Sequence, residues 1–209
     1  HDRGRIPANR IGIEIEAALA FGSGHHGTTR GCLVALDRLA KARSTIRSGP
    51  RKRARCILDL GTGSGILAIA AARRLRQRVL ATDIDASAAR VARANARLNR
   101  AGPLIEVVKA AGVTGHSVRR WAPFDLVFGN ILLRPLQLFA APLKRLCAGN
   151  GRLVLSGLLP SQANAALAAY RPLALEHRIE FDGWMTLVLA RPCRRRRRRA
   201  SVARERRAP

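Results

Sequence analysis

The fifteen residues from Cys56 to Ala70, Cys-Ile-Leu-Asp-Leu-Gly-Thr-Gly-Ser-Gly-Ile-Leu-Ala-Ile-Ala, constrain this chain more than any other stretch. A short apolar run carries Asp59 near its end. Gly61, Gly63 and Gly65 follow at alternate positions, and then an Ala/Ile/Leu-rich helical pattern begins. The order reads as a buried strand, a tight turn and a helix. Glycine lets the backbone take left-handed conformations and lets a ligand come close to it, and the first turn of the helix presents N–H groups to that ligand.

The rest of the chain repeats the strand–helix alternation. The pattern predicts strands at Cys56–Leu60, Val79–Asp83, Ile105–Lys109, Phe124–Phe128 and Arg152–Ser156. It predicts helices at Gly65–Leu75, Ser87–Leu98, Arg134–Cys147 (closed by Gly149) and Pro160–Tyr170. Short unalternating apolar runs are those of strands covered on both faces, and repeated strand–helix units imply a doubly wound, mostly parallel α/β sheet. Leu173–Phe181 and Trp184–Ala190 flank Asp182-Gly183 and read as a closing antiparallel hairpin. Ahead of the glycine turn, Glu14–Phe21 reads as the start of a strand, and a helix over Thr28–Lys41 follows, with Thr28 or Thr29 as its cap.

With 209 residues, 47% of them hydrophobic, the chain is sized for one domain with a real core. The longest apolar run, Ile66–Ala72, is far below the ~20 residues of a membrane span. No signal peptide is visible, so a cytoplasmic setting is expected. The chain opens on His1, which suggests processing or a longer parent chain. Cysteines 32, 56, 147 and 193 have no metal-ligand spacing and read as reduced thiols. The adjacent His25 and His26 lack a third ligand and read as pocket-lining residues, so no metal site is expected. The domain plan is a lead-in and loop over 1–26, the main domain over 27–192 and a disordered Arg-rich tail over 193–209.

The glycine spacing separates this turn from a dinucleotide fingerprint, G-x-G-x-x-G. Strictly alternating glycines behind an acid resemble the first motif of class I S-adenosylmethionine-dependent methyltransferases, where a carboxylate near the turn (Asp59 here) suits a ligand carrying an ammonium and a sulfonium. Asp83 ends the second strand, where a carboxylate can accept both hydroxyls of a ribose. A narrower resemblance rests on Leu19-Ala-Phe-Gly-Ser-Gly-His-His-Gly-Thr-Thr29, the glycine turn, Thr82-Asp-Ile-Asp85, Gly129-Asn-Ile-Leu132 and Leu155-Ser-Gly-Leu-Leu159. In that combination, over roughly residues 6–191, the chain is similar to the ribosomal protein L-eleven methyltransferases of the PrmA type.

The resemblance implies S-adenosylmethionine as cofactor, with Thr29, Gly61, Asp83 and Asn130 at binding positions; Gly63, Gly65 and Asp59 complete the candidate set. Asn130 follows the Phe124–Phe128 strand in a setting like the Asn-Pro-Pro-aromatic motif of amine methyltransferases. It is the candidate that orients the target amine. The implied reaction is methylation of lysine side chains and the N-terminal amine of ribosomal protein L-eleven. Another protein or RNA as target, or a cofactor-binding remnant without turnover, stays open at this point. The family also carries a substrate-recognising N-terminal domain, and this chain begins close to the catalytic one, as a fragment or a shortened form would.

The formal net charge is +26, and residues 194–199 are six consecutive arginines. Such a chain is drawn to polyanions, and the tail is a candidate contact for ribosomal RNA.

Overall fold

A computed structural model describes residues 7, 10–16, 26–42 and 56–192. The loop at 17–25 (His25 included), the basic block at 43–55 and the tail from Cys193 lie outside the described residues.

Among the described residues the chain runs α1 (Gly27–Lys41), β1 (Cys56–Leu60), α2 (Ile66–Leu75), β2 (Arg78–Asp83), α3 (Ala86–Leu98), β3 (Ile105–Lys109), α4 (His116–Arg119), β4 (Phe124–Asn130), α5 (Leu133–Leu146), β5 (Cys147–Leu158), α6 (Ala163–Ala169), β6 (Ala174–Phe181) and β7 (Trp184–Ala190). The strands form one seven-stranded sheet in the order β3-β2-β1-β4-β5-β7-β6. β1 to β5 pair in parallel, and β7 runs antiparallel between β5 and β6. This is the doubly wound, mostly parallel sheet expected, with the antiparallel element supplied by the hairpin. Asp182 and Gly183 both have positive φ, 51° and 76°. A two-residue hairpin turn requires this, because its twist must match that of the strands.

Strand alternation divides the core in two. Ile57, Val79, Leu126, Phe128, Val154 and Val188 face one way, onto α1, α2 and Ala96 of α3. Leu58, Leu80, Val127, Leu153, Leu155 and Leu187 face the other way, onto α5, α6 and the α4 region. All five residues of β1 are buried, which explains its lack of apolar/polar alternation. The thiols of Cys32, Cys56 and Cys147 are buried and form no disulfide among the described residues, and burial pushes Cys32 and Cys147 up to about 12. They are packing groups rather than nucleophiles.

Several boundaries differ from the sequence expectation. α5 ends at Leu146, and Gly149 does not cap it: Cys147 is already extended and pairs with Phe124, so the chain enters β5 through a bulge. Pro160–Gln162 forms a separate single turn before α6. α1 is capped by neither threonine. His26 is its N-cap, and its Nδ1 accepts the Thr28 N–H at 3.4 Å. Residues Glu14–Glu16 join no strand of the sheet. The backbone of Glu14 and Glu16 is held instead by the side chains of Asn99, which closes α3, and Asn95 within it.

Candidate functional site

β1 pairs with β2 on one side and β4 on the other, so the chain reverses direction across the sheet at β1/β4. Open α/β sheets leave a crevice at that point, beyond the carboxyl ends of the strands. The glycine turn leaves β1 there. Gly61, Gly63 and Gly65 have φ of 69°, 53° and 85°. All three are left-handed, a conformation that L side chains rarely adopt, and this accounts for the strict alternation. The Gly61 and Thr62 N–H groups both donate to the Thr82 carbonyl, at 2.8 and 2.9 Å, which pins the turn to the end of β2.

The two carboxylates of the site do different work. Asp59 is 1% exposed. Its Oδ2 accepts the Thr62 hydroxyl at 2.6 Å and the Ala68 N–H at 3.0 Å, joining the turn to the first turn of α2. Burial pushes its carboxyl up to about 6, against the two hydrogen bonds, which favour the ionised form. Asp83 is half-buried at the end of β2. Its Oδ2 accepts the Gly63 N–H at 2.9 Å and its Oδ1 the Asp85 N–H at 3.0 Å. Both oxygens are oriented by backbone, and each keeps a further acceptor direction. Asp83 is not the cap of α3. Asp85 is, accepting the Ser87 N–H at 2.8 Å.

Asn130 is the last residue of β4, two residues further along the strand than the sequence pattern suggested. Leu60 and Gly129 are register partners, so Gly61 and Asn130 leave the sheet side by side. Ile131 then crosses the crevice. A Cβ at Gly61 would lie 2.6 Å from its Cγ2, and one at Gly157 would lie 2.5 Å from its carbonyl oxygen. Leu132 is 68% exposed just beyond. Ile84, after Asp83, and Leu159, after β5, are also exposed, so three strand ends carry apolar side chains at this rim.

Thr29 is buried in the first turn of α1. That helix end is fixed from the hairpin half of the sheet. The Ser156 hydroxyl donates to the Thr28 carbonyl at 3.2 Å and shares a 2.8 Å hydrogen bond with Thr186. A Cβ at Gly27 would meet the Phe181 carbonyl oxygen at 2.4 Å, so only glycine allows this approach. His26 stacks at a tilt on Trp184, with ring centroids 5.0 Å apart. No group of three or more potential metal ligands occurs among the described residues, and none of their helices is long and apolar enough to cross a membrane.

The glycine turn, Asp83 and Asn130, expected at strand ends, lie together at one edge of the sheet. The sequence pattern did not point to Ile131, Ser156, Thr186, the buried Asn95 of α3 or the buried Asn99 that closes this helix. Two asparagines four apart in an otherwise Ala/Arg helix were the one available signal for the last pair.

Comparison with known proteins agrees with this geometry. The family model described as "Ribosomal protein L11 methyltransferase (PrmA)" matches residues 2–192. A curated relative named ribosomal protein L11 methyltransferase, from Rhodopseudomonas palustris (strain BisB5), is 52% identical over 193 residues, covering 91% of this chain and 62% of that protein. Its namesake from Bradyrhizobium diazoefficiens is 49% identical over 192 residues, covering 90% of this chain and 62% of that protein. The chain thus spans 62% of the length of these relatives. The crystal structure of ribosomal protein L11 methylase from Lactobacillus delbrueckii subsp. bulgaricus superposes with a TM-score of 0.70 at 28% identity, covering 86% of this chain and 85% of that one. Sheet order, glycine turn and family match converge: the chain belongs to the ribosomal protein L11 methyltransferase (PrmA) family.

Proposed function

We propose that this chain binds S-adenosylmethionine at the β1/β4 crevice and transfers its methyl group to amine nitrogens of ribosomal protein L11, the lysine side chains and the N-terminal amine. The observation that carries this reading is the side-by-side exit of Gly61 and Asn130 from the sheet, with Asp83 on the neighbouring strand, in a chain of this family. The residues fit the cofactor. Gly61, Gly63 and Gly65 let the turn bend tightly, with Ile131 and Ala92 packed where Cβ atoms of Gly61 and Gly65 would stand, and Asp83 is oriented with acceptor capacity to spare for a ribose. Gly61, Gly63 and Gly65 would line the cofactor, and Thr29 at the start of α1 would face its carboxylate. Asp59, sealed beneath the turn, would serve by holding the turn's shape.

The sulfonium of the bound cofactor supplies an already activated methyl group, so the protein's share is orientation and exclusion of water. The Asn130 side-chain carbonyl would accept a hydrogen bond from the target amine and aim its lone pair. Lysine is charged at neutral pH, so the amine gives up its proton to solvent before it is aligned. Ile131 and Leu132 would cover the crevice and contact the incoming side chain.

The proposed domain is residues 27–192, with 1–26 as lead-in and loop. A ribosomal substrate sets the reaction in the cytoplasm, and the arginines at 194–199 would add phosphate contacts with ribosomal RNA. The test is transfer of a labelled methyl group to isolated L11 and, separately, to ribosomal RNA. The reading predicts label in L11, lost in Asn130→Ala. Label in RNA alone would reassign the substrate, and cofactor binding without label in either would make the chain a binding remnant.

A further inference from the structure

The backbone of Glu14 and Glu16 is held against α3, and the way it is held carries a consequence for the glycine turn. In an extended chain, residues two apart present their N–H and C=O groups along the same edge, ~6.7 Å apart. On a helix, residues four apart stand on the same face, ~6 Å apart. Glu14 and Glu16 meet Asn99 and Asn95 on these matching spacings.

The Asn99 Oδ1 accepts the Glu14 N–H at 2.9 Å, and its Nδ2 donates to the Glu14 carbonyl at 2.6 Å. The Asn95 Oδ1 accepts the Glu16 N–H at 3.0 Å, and its Nδ2 donates to the Glu16 carbonyl at 3.5 Å. Each amide thus pairs with the segment at two points, as a neighbouring strand would. Ile13 and Ile15 pack on the core beneath α2 and α3 while Glu14 and Glu16 face out, and Arg73 of α2 donates to the Gly12 carbonyl.

The two rungs differ in one respect. Asn95, with no solvent exposure, also donates through Nδ2 to the Ser64 carbonyl at 2.8 Å, and Ser64 lies inside the glycine turn. Asn99, the residue that closes α3, instead makes its additional bond to the Asn95 carbonyl. One turn earlier on α3, Ala92 stands 3.2 Å from where a Cβ on Gly65 would be. α3 therefore buttresses the turn through Ala92 and Asn95, and Asn95 holds the segment as well. A buried asparagine in an alanine-rich helix is costly unless its polar atoms are all engaged. Here the engaged partners are the segment and the turn.

We propose that Asn95 is a positioning residue of the cofactor site, coupling the docking of residues 12–16 to the shape of the glycine turn, with Asn99 clamping the segment alone. The proposal rests on the cofactor reading above. Whatever precedes residue 12 is thereby linked to the site, and linkage makes the coupling reciprocal: ligand in the turn tightens the segment.

The test is hydrogen–deuterium exchange at the Glu14 and Glu16 amides of the full chain, with and without S-adenosylhomocysteine, alongside calorimetric affinity for that ligand. In the unsubstituted protein, saturating ligand should slow both amides at least threefold. In Asn95→Ala the affinity should fall about tenfold and the ligand should no longer slow the segment. In Asn99→Ala the Glu14 amide should exchange faster while affinity falls less than threefold. No ligand binding by the unsubstituted protein overturns the cofactor reading and the coupling with it. Binding that leaves both amides unchanged overturns the coupling alone, and this arm needs no variant to fold. Equal affinity losses in Asn95→Ala and Asn99→Ala also overturn it, because a purely structural helix defect would act on both.

Discussion

The ends of β1 and β2 lie on adjacent strands, and each offers an aspartate at the glycine turn, yet the two have opposite environments. Asp59 is sealed, with Thr62 and Ala68 on one oxygen and a carboxyl pushed up to about 6 by burial. Asp83 is half-open, each oxygen oriented by one backbone N–H. The turn is therefore built in two layers. An inner acid fixes its shape, and an outer acid keeps acceptor capacity on both oxygens, which we propose is for a ligand. Residue type does not separate the layers. Burial does.

The largest effect that would break this division is on stability. Asp59→Ala removes the acceptor shared by a buried hydroxyl and a helix N–H and leaves a void, and should cost ~3 kcal/mol in urea denaturation. Asp83→Ala should cost under ~1 kcal/mol in the same experiment. Equal losses would erase the distinction. A pH series sharpens it. The folded-state carboxyl of Asp59 lies above its ordinary value of 3.8, so the group's contribution to stability is full below pH 3.8 and is lost as pH rises through about 6. The stability of the unsubstituted protein relative to Asp59→Asn should therefore fall by ~2 kcal/mol between pH 4 and about 6.5 and stay flat above it. A difference that grows with pH over that window would mean that the two hydrogen bonds outweigh burial.

The smallest effect lies at the rim. Leu132 is exposed beyond Asn130, so Leu132→Ser should change stability by less than ~0.5 kcal/mol while raising the KM for the amine substrate. A larger stability loss would show that Leu132 is part of the core rather than of the target side.

How much of this was legible in the sequence follows from the range of the interactions. The glycine turn, the strands around it and the Asp182-Gly183 hairpin are local, set by runs of five to eight residues and by positions that need positive φ. The position of Asn130 followed from its place after an apolar strand. The end of α5 did not, because Gly149 looks like a helix stop, whereas Cys147 already pairs with Phe124 of β4 across the sheet. Nor did the capping of α1. His26 takes a role that serine and threonine usually fill, while both threonines sit inside the helix. The asparagine clamp did not follow either, because its partners lie 79 and 85 residues away and the four-residue spacing of Asn95 and Asn99 does not name them. Asp59 and Asp83 were both assigned to the ligand, since a sequence gives the type and spacing of an acid and not its burial.

Calorimetry with S-adenosylhomocysteine on the unsubstituted chain, Asp83→Ala and Asp59→Asn separates the roles of the two aspartates. Loss of a charge-assisted partner to a ribose is worth ~2 kcal/mol, about 30-fold in Kd. Asp83→Ala should bind at least about 30-fold more weakly while keeping its cooperative unfolding, and Asp59→Asn, which keeps an acceptor for Thr62 and Ala68, should stay within about threefold of the parent. Unchanged affinity in Asp83→Ala, or no binding by the unsubstituted chain, would contradict the account.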